Sequence, residues 1–342
     1  VTLSPHLSRH YRLVEDRAHY HLLRGGHYLG QITCLYQPDR LRLTAELREI
    51  RPDVIEAFGT EGPYAYAAVS SGLPCVVYVQ GIITEILKTM DVAPTSPQWI
   101  HHFLTQFFER WTIRRGKYYI VENGFGARFV KQLNPDSKSF VLPNIINPLF
   151  FQTQSTSADQ KPEILFVGRL SVLKGGLELI RAFEIILEAR PETRLTIIGD
   201  ISPEVMRTIQ LLPLNAQESI SICGRQDQLF ILNKMQAKPI FVCPSRMDSS
   251  PNSVYEAMAA GLPVVATRAG GLPYMIESGT TGYLTDPLDC DSLAERILYL
   301  LDHPDERRRL GTNASRVTRE RLSPEKIGQE LINIYRQVCA QQ

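Results

Sequence analysis

Apolar and polar positions alternate along the chain in blocks of two kinds. Short runs rich in Val, Ile, Tyr and Phe read as buried strands, and longer stretches with apolar residues three and four apart read as amphipathic helices. In the first half the strand-type runs are VTLSP at Val1, QITCLY at Gln31, DVIEAF at Asp53, PCVVYV at Pro74, YYIVEN at Tyr118 and KSFVLPN at Lys138. Helical patterns are expected over His6 to Leu23, Asp39 to Ile50, Gly62 to Ser71 and Trp99 to Arg115. The second half repeats the alternation more cleanly, with strands EILFVG, RLTIIGD, SISICG, PIFVC and PVVAT, and a helix of about four turns, GLELIRAFEIILEAR. Such alternation predicts an α/β molecule whose parallel strands are joined by helical crossovers.

Between the halves, IINPLFFQTQSTSADQKPE follows Asn144 without periodicity and reads as a linker, with a boundary near Gln154 to Gln160. SSGLPCVVY at Ser70 echoes AAGLPVVAT at Ala259, each a helix end, a glycine, Leu-Pro and a buried strand. Two similarly built domains are the simplest explanation. The charged helix HPDERRRLGTNASRVTRER and a last one, SPEKIGQELINIYRQV, close the chain.

Composition narrows the classes. The chain has 342 residues, is 44% hydrophobic and 21% charged, and carries a net charge of +1, so nothing argues for nucleic acid or acidic partners. Its six cysteines, Cys34, Cys75, Cys223, Cys243, Cys290 and Cys339, show no metal-ligand spacing, and this usage suits a reducing compartment. The histidines, His19, His21, His27 and the His101-His102 pair among them, form no ligand pattern. VTLSPHLSRH lacks the apolar core of a signal peptide, and no run of about eighteen apolar residues suggests a membrane span. Between Trp99 and Arg115, aromatic residues Phe103, Phe107, Phe108 and Trp111 recur at helical spacing, with Arg110, Arg114, Arg115 and Lys117 near the end. A membrane-surface role is one reading of this helix. The preferred one is a helix packed on the sheet, its cations complementing the C-terminal dipole.

The chemistry concentrates between Cys243 and Gly271, CPSRMDSSPNSVYEAMAAGLPVVATRAGG, which reads as strand end, polar loop, helix, Gly261 turn and strand. Asp248 precedes the helix and Glu256 lies early in it. Ser253-Val254-Tyr255-Glu256 fits a capping box, and Asp248 alone would be a turn former. The whole stretch resembles the acidic motif of retaining nucleotide-sugar glycosyltransferases of the GT-B fold, family 4 (group 1). There an acid, seven residues and a Glu lead into Ala-Met-Ala-x-Gly-x-Pro-Val, as Asp248 and Glu256 lead into AMAAGLPVV here. Asp248 departs from the usual Glu. VGRLSVLKGG adds the family's Gly168-Arg169 with Lys174 five residues on.

That resemblance implies two Rossmann-like domains with parallel sheets facing across a cleft. Residues 1–154 would form the acceptor-side domain, 155–322 the donor domain, and 323–342 a helix returning to the first. Arg169 and Lys174 would neutralise the donor diphosphate, Asp248 would face the transferred sugar, and Glu256 would hold the ribose hydroxyls. Ser253 and Val254 would offer helix-start N–H groups, while Gly224 and Arg225 would lie near the base. Gln80 stands where the family often has a His facing the donor sugar, and Ile145 where Gly is common. The resemblance further implies that VTLSP is the end of a second strand, so that the first domain lacks a strand–loop–helix unit. No cofactor or obligatory metal is expected. The donor would be a UDP or GDP sugar, the acceptor a sugar, glycan or lipid-linked hydroxyl, and the setting cytoplasmic, with peripheral contact at the inner membrane face open. An epimerase on the same fold and a catalytically weak nucleotide-sugar-binding protein are the alternatives.

Overall fold

The computed structural model describes residues 1–4, 11–15, 18–24, 36–90, 97–152 and 163–340. The expected strand QITCLY and the linker at Gln154 to Gln160 lie essentially outside them. The chain divides into two units, Val1–Leu142 with Gly328–Gln342, and Pro143–Ile327.

The first unit opens with β1 (Thr2–Ser4), β2 (Tyr11–Glu15) and β3 (Ala18–Arg24). β1 runs parallel to β3, and β2 pairs antiparallel with it, Arg12 opposite His21 and Leu13 opposite Tyr20. The helix expected over His6 to Leu23 is therefore wrong where the chain is described. From Ala18 to Leu22 apolar residues and histidines alternate with period two, which a strand satisfies and a helix does not. Arg12 and His21 both reach Glu46, at 2.9 and 2.5 Å. Glu46 lies on α1 (Gln37–Ile50), which leads to β4 (Ile55–Phe58), α2 (Pro63–Ser71) and β5 (Cys75–Val79). Then come α3 (Ile83–Leu87), α4 (Pro97–Arg115), β6 (Tyr118–Val121), α5 (Gly124–Leu133) and β7 (Lys138–Val141). β4 to β7 form a parallel sheet in sequence order. Its core gathers Val77, Val79, Tyr119, Val121 and Ile113 on one face, and Val76, Tyr78, Tyr118 and Ile120 are buried on the other, so the central strands β5 and β6 are covered on both faces.

The second unit alternates without interruption. Its elements are β8 (Glu163–Val167), α6 (Gly176–Ala189), β9 (Arg194–Ile198), α7 (Pro203–Gln210), α8 (Leu214–Glu218), β10 (Ile220–Ile222) and α9 (Gln228–Gln236). They continue with β11 (Ile240–Cys243), α10 (Asn252–Ala259), β12 (Val264–Thr267), α11 (Leu272–Met275) and β13 (Tyr283–Thr285). The helices α12 (Cys290–Asp302), α13 (Pro304–Arg321) and α14 (Pro324–Ala340) follow. All six strands are parallel, in the order β10-β9-β8-β11-β12-β13. From β8 the sheet grows one way to β9 and the other way to β11. The crevice beyond the carboxyl ends of β8 and β11 is thus the topological switch point, where open α/β sheets bind ligands. From Gly328 onward α14 belongs to the first unit, where Tyr335 hydrogen-bonds Glu56 and Lys138 donates to Gln337 at 2.7 Å.

Candidate functional site

The loops leaving β8 and β11 meet at the switch point. Arg169 follows Gly168 and is exposed, and Lys174 sits just ahead of α6. Lys174 Nζ donates to Asp248 Oδ2 at 2.5 Å, with Asp248 only 11% exposed and Lys174 35%. Ser245 Oγ donates to the same carboxylate oxygen at 3.3 Å. Sequence reasoning placed Lys174 and Asp248 in one site; the structure puts them in contact.

Backbone packing fixes that contact. Gly175 has φ +72°, and a Cβ there would collide with the Pro244 carbonyl oxygen. On the other side of Asp248, Gly270 has φ +55° and lies against the Asp248 carbonyl, which accepts from Gly271 N at 2.8 Å. Both approaches are open only to glycine. Arg246 N donates to Leu173 O at 2.9 Å, and Thr267 Oγ1 donates to Ser245 O at 2.5 Å.

One ionic contact in this region was not anticipated from sequence. Arg246 donates through Nε and Nη2 to Glu178 Oε1, at 2.9 and 2.6 Å. Glu178 is buried in α6, and its Oε2 has no hydrogen-bond partner. The available signal was an acid on the apolar side of an amphipathic helix, where charge is found only when paired.

Glu256 is the fifth residue of α10 rather than its third. The helix is capped by Pro251 without a side-chain bond, so the capping-box reading does not hold. Among the described residues none hydrogen-bonds the Glu256 carboxylate, and burial raises its pKa above the usual carboxylate range. Ser253 lies half-buried in the first turn. The Val254 amide is already engaged, donating to Pro251 O at 3.0 Å, so it is not an open donor for a ligand. Gly224 accepts from Gly199 N through its carbonyl at 2.7 Å, with φ +63°. Arg225, its side chain 83% exposed, is held by Asp200 at 2.5 Å, and that hydrogen bond lowers the Asp200 pKa. In the first unit Gln80 is exposed at the end of β5. That unit also has a pocket of about 560 Å³, lined by β4, Thr2, Leu43 and Tyr64 among others, to which none of the sequence-predicted site residues contributes. No group of three or more His, Cys, Asp or Glu among the described residues could hold a metal ion.

Comparison with known proteins bears on the family and the fold. Residues 150–317 match the family described as "Glycosyl transferases group 1". A GDP-mannose-dependent monoacylated alpha-(1-6)-phosphatidylinositol monomannoside mannosyltransferase from Corynebacterium glutamicum is 31% identical over 183 residues, covering 52% of this chain and 47% of that protein. The chain spans about half the length of the curated relatives it matches. Sucrose-phosphate synthase from Thermosynechococcus elongatus superposes with a TM-score of 0.81 at 18% identity, over 99% of this chain and 87% of that one. HepE of Anabaena in complex with UDP-glucose gives 0.73 at 20% identity, over 91% and 85%. The fold is GT-B, and residues 150–317 within it match the family described as group 1 glycosyl transferases.

Proposed function

We propose that this chain is a glycosyltransferase that takes a sugar from a nucleoside diphosphate sugar and passes it, with retention of configuration, to an acceptor hydroxyl. The observation that carries the reading is the Lys174–Asp248 pair at the switch point, in a loop that runs into the helix bearing the unpartnered Glu256. An ammonium group has three donors. Asp248 takes one, and the others can reach phosphate oxygens alongside the exposed Arg169 guanidinium. The Asp248 carboxylate, oriented by Lys174 and Ser245, can accept from hydroxyls of the transferred sugar. Glu256 can accept two bonds from the vicinal hydroxyls of a ribose, which would supply the partners its half-buried carboxylate lacks.

In the reaction the bond from the anomeric carbon to the β-phosphate oxygen breaks, and the acceptor oxygen bonds to that carbon on the same face. The acceptor proton passes to the departing phosphate oxygen. Arg169 and Lys174 would stabilise the charge that develops there. Neither a protein nucleophile nor a metal step is invoked. The relatives reported above bear transferase and synthase names or bind a nucleotide sugar, which favours transfer over epimerisation. The first of them acts, by its name, on a phosphatidylinositol mannoside, so lipid-linked hydroxyls belong among the acceptors tried.

The test is a thermal-shift screen of UDP and GDP sugars followed by mass spectrometry of products with sugar and lipid-linked acceptors. Stabilisation by a nucleotide sugar and an acceptor gaining one hexose are expected. Arg169→Ala and Lys174→Ala should each lower kcat by about 100-fold, the scale of losing one donor aimed at a leaving oxyanion. Normal turnover in both variants would remove the diphosphate assignment.

A further inference from the structure

Helix α4 presents a face that the donor reading does not use, and the inference drawn from it does not depend on that reading. Its inward side is closed: Phe108, Thr112 and Ile113 are buried against the first unit. Trp99, Phe103 and Phe107 are not buried. They are 39%, 52% and 49% exposed, although the preferred reading of the sequence was a helix packed on the sheet. Their spacing of four residues places them on one stripe. Trp99 and Phe103 are stacked, ring centres 5.5 Å apart and planes at 16°.

The charge on this helix is segregated as well. Its single acid, Glu109, is fully buried and faces inward, accepting from the amides of Ile83 and Thr84 at 2.7 and 2.9 Å and from Thr84 Oγ1 at 2.5 Å. Every outward charge is therefore positive. Arg114 continues the aromatic stripe, and Arg115 and Lys117 are exposed beside it. The Arg115 guanidinium lies 4.6 Å from the Trp111 ring centre, and Arg40 lies 5.3 Å from that of Tyr66, which meets Trp111 edge-on.

We infer that α4 is a docking surface for an anionic lipid bilayer, on which it lies flat. Exposed rings at helical spacing can sink to headgroup depth, and a row of cations without exposed acids is attracted to the negative surface potential above acidic lipids. No helix of the described residues, α4 included, is long and apolar enough to cross a membrane. The charge pattern also selects between bilayers: a neutral headgroup layer offers the cations nothing.

Flotation of the full chain with vesicles tests this, using phosphatidylcholine alone and phosphatidylcholine mixed with phosphatidylglycerol. Binding is expected to the mixed vesicles only, and to weaken as salt is raised. Trp99→Ser with Phe103→Ser and Phe107→Ser should lower it at least about tenfold, as should Arg114→Glu with Lys117→Glu. These side chains are exposed, so both variants should melt near the parent temperature. A matched control, Arg308→Glu with Arg316→Glu on α13, reverses two exposed cations elsewhere and should bind as the parent does. Failure of the parent chain to bind acidic vesicles overturns the proposal. Equal losses from the α13 and α4 reversals would overturn it too, since attraction would then follow net charge and not this helix.

Discussion

Glu256 holds a carboxylate where water is scarce, and no neighbouring side chain compensates it. Burial raises its pKa, so the folded state holds this proton more tightly than the unfolded state. Between the ordinary carboxylate range and that raised value the folded state binds more protons, so stability contributed at low pH is lost as pH rises. Glu256→Gln cannot titrate and should escape that loss. Its melting temperature is expected to exceed the parent's by about 1 to 3 °C at pH 7 and to converge with it below the carboxylate range. The same variant should bind the nucleotide sugar more weakly, because an amide accepts fewer hydroxyl bonds. Equal melting at every pH, measured in one series of thermal scans, would mean the carboxylate is not penalised. Glu256 was legible as a site residue only through its place in a long motif. Its local context argued for a cap, and that argument failed because the helix begins at Asn252, so Ser253 is inside it.

At the level of elements, the Glu178–Arg246 pair ties the first turns of α6 to the loop after β11. Removing one partner leaves the other charge buried. Arg246→Ala is therefore expected to cost about 3 to 5 kcal/mol, while Glu178→Leu with Arg246→Met should recover most of it. Urea denaturation of the single and double variants measures both. The double variant should also show whether the ions serve stability alone: a fall in kcat at restored stability would mean that they hold Lys174 and Asp248 in register. Most elements of the second unit were readable because β8, β11 and β12 are nearly continuous apolar runs and α6 carries one apolar stripe. β13 escaped notice because Tyr283–Thr285 is three residues long and has no such run. In the first unit the hairpin of β2 and β3 was misread as helix. The adjacent pairs Leu13-Val14 and Leu22-Leu23 break the period-two signal.

At the scale of the molecule, the residues proposed to hold the donor all lie in Pro143–Ile327, and the proposal leaves the acceptor to the other unit. Hydrogen exchange with and without a nucleoside diphosphate should show protection around residues 168–176 and 243–256, with the α4 segment unchanged. Protection confined to the first unit would contradict the donor assignment. Alternation in both halves made an α/β molecule with parallel sheets legible, whereas the GT-B arrangement was implied only by the motif resemblance around Asp248 and Glu256. The position of the boundary was not legible. A polar stretch attracts the eye as a linker, whereas the compact units separate after Leu142, ahead of it.

The glycines that clamp the site suggest how its sequence could drift. Gly175 and Gly270 press on the carbonyls of Pro244 and Asp248, so their constraint comes from the backbone. Lys174 and Asp248 are constrained only by what their side chains hold. A library randomised at these four positions and selected for folding alone should return glycine at 175 and 270 and accept many residues at 174 and 248. Selection for turnover should then restore the lysine and an acid. On such a frame a lineage can lose the proposed reaction and keep the fold, by substitutions at positions 174 and 248 alone.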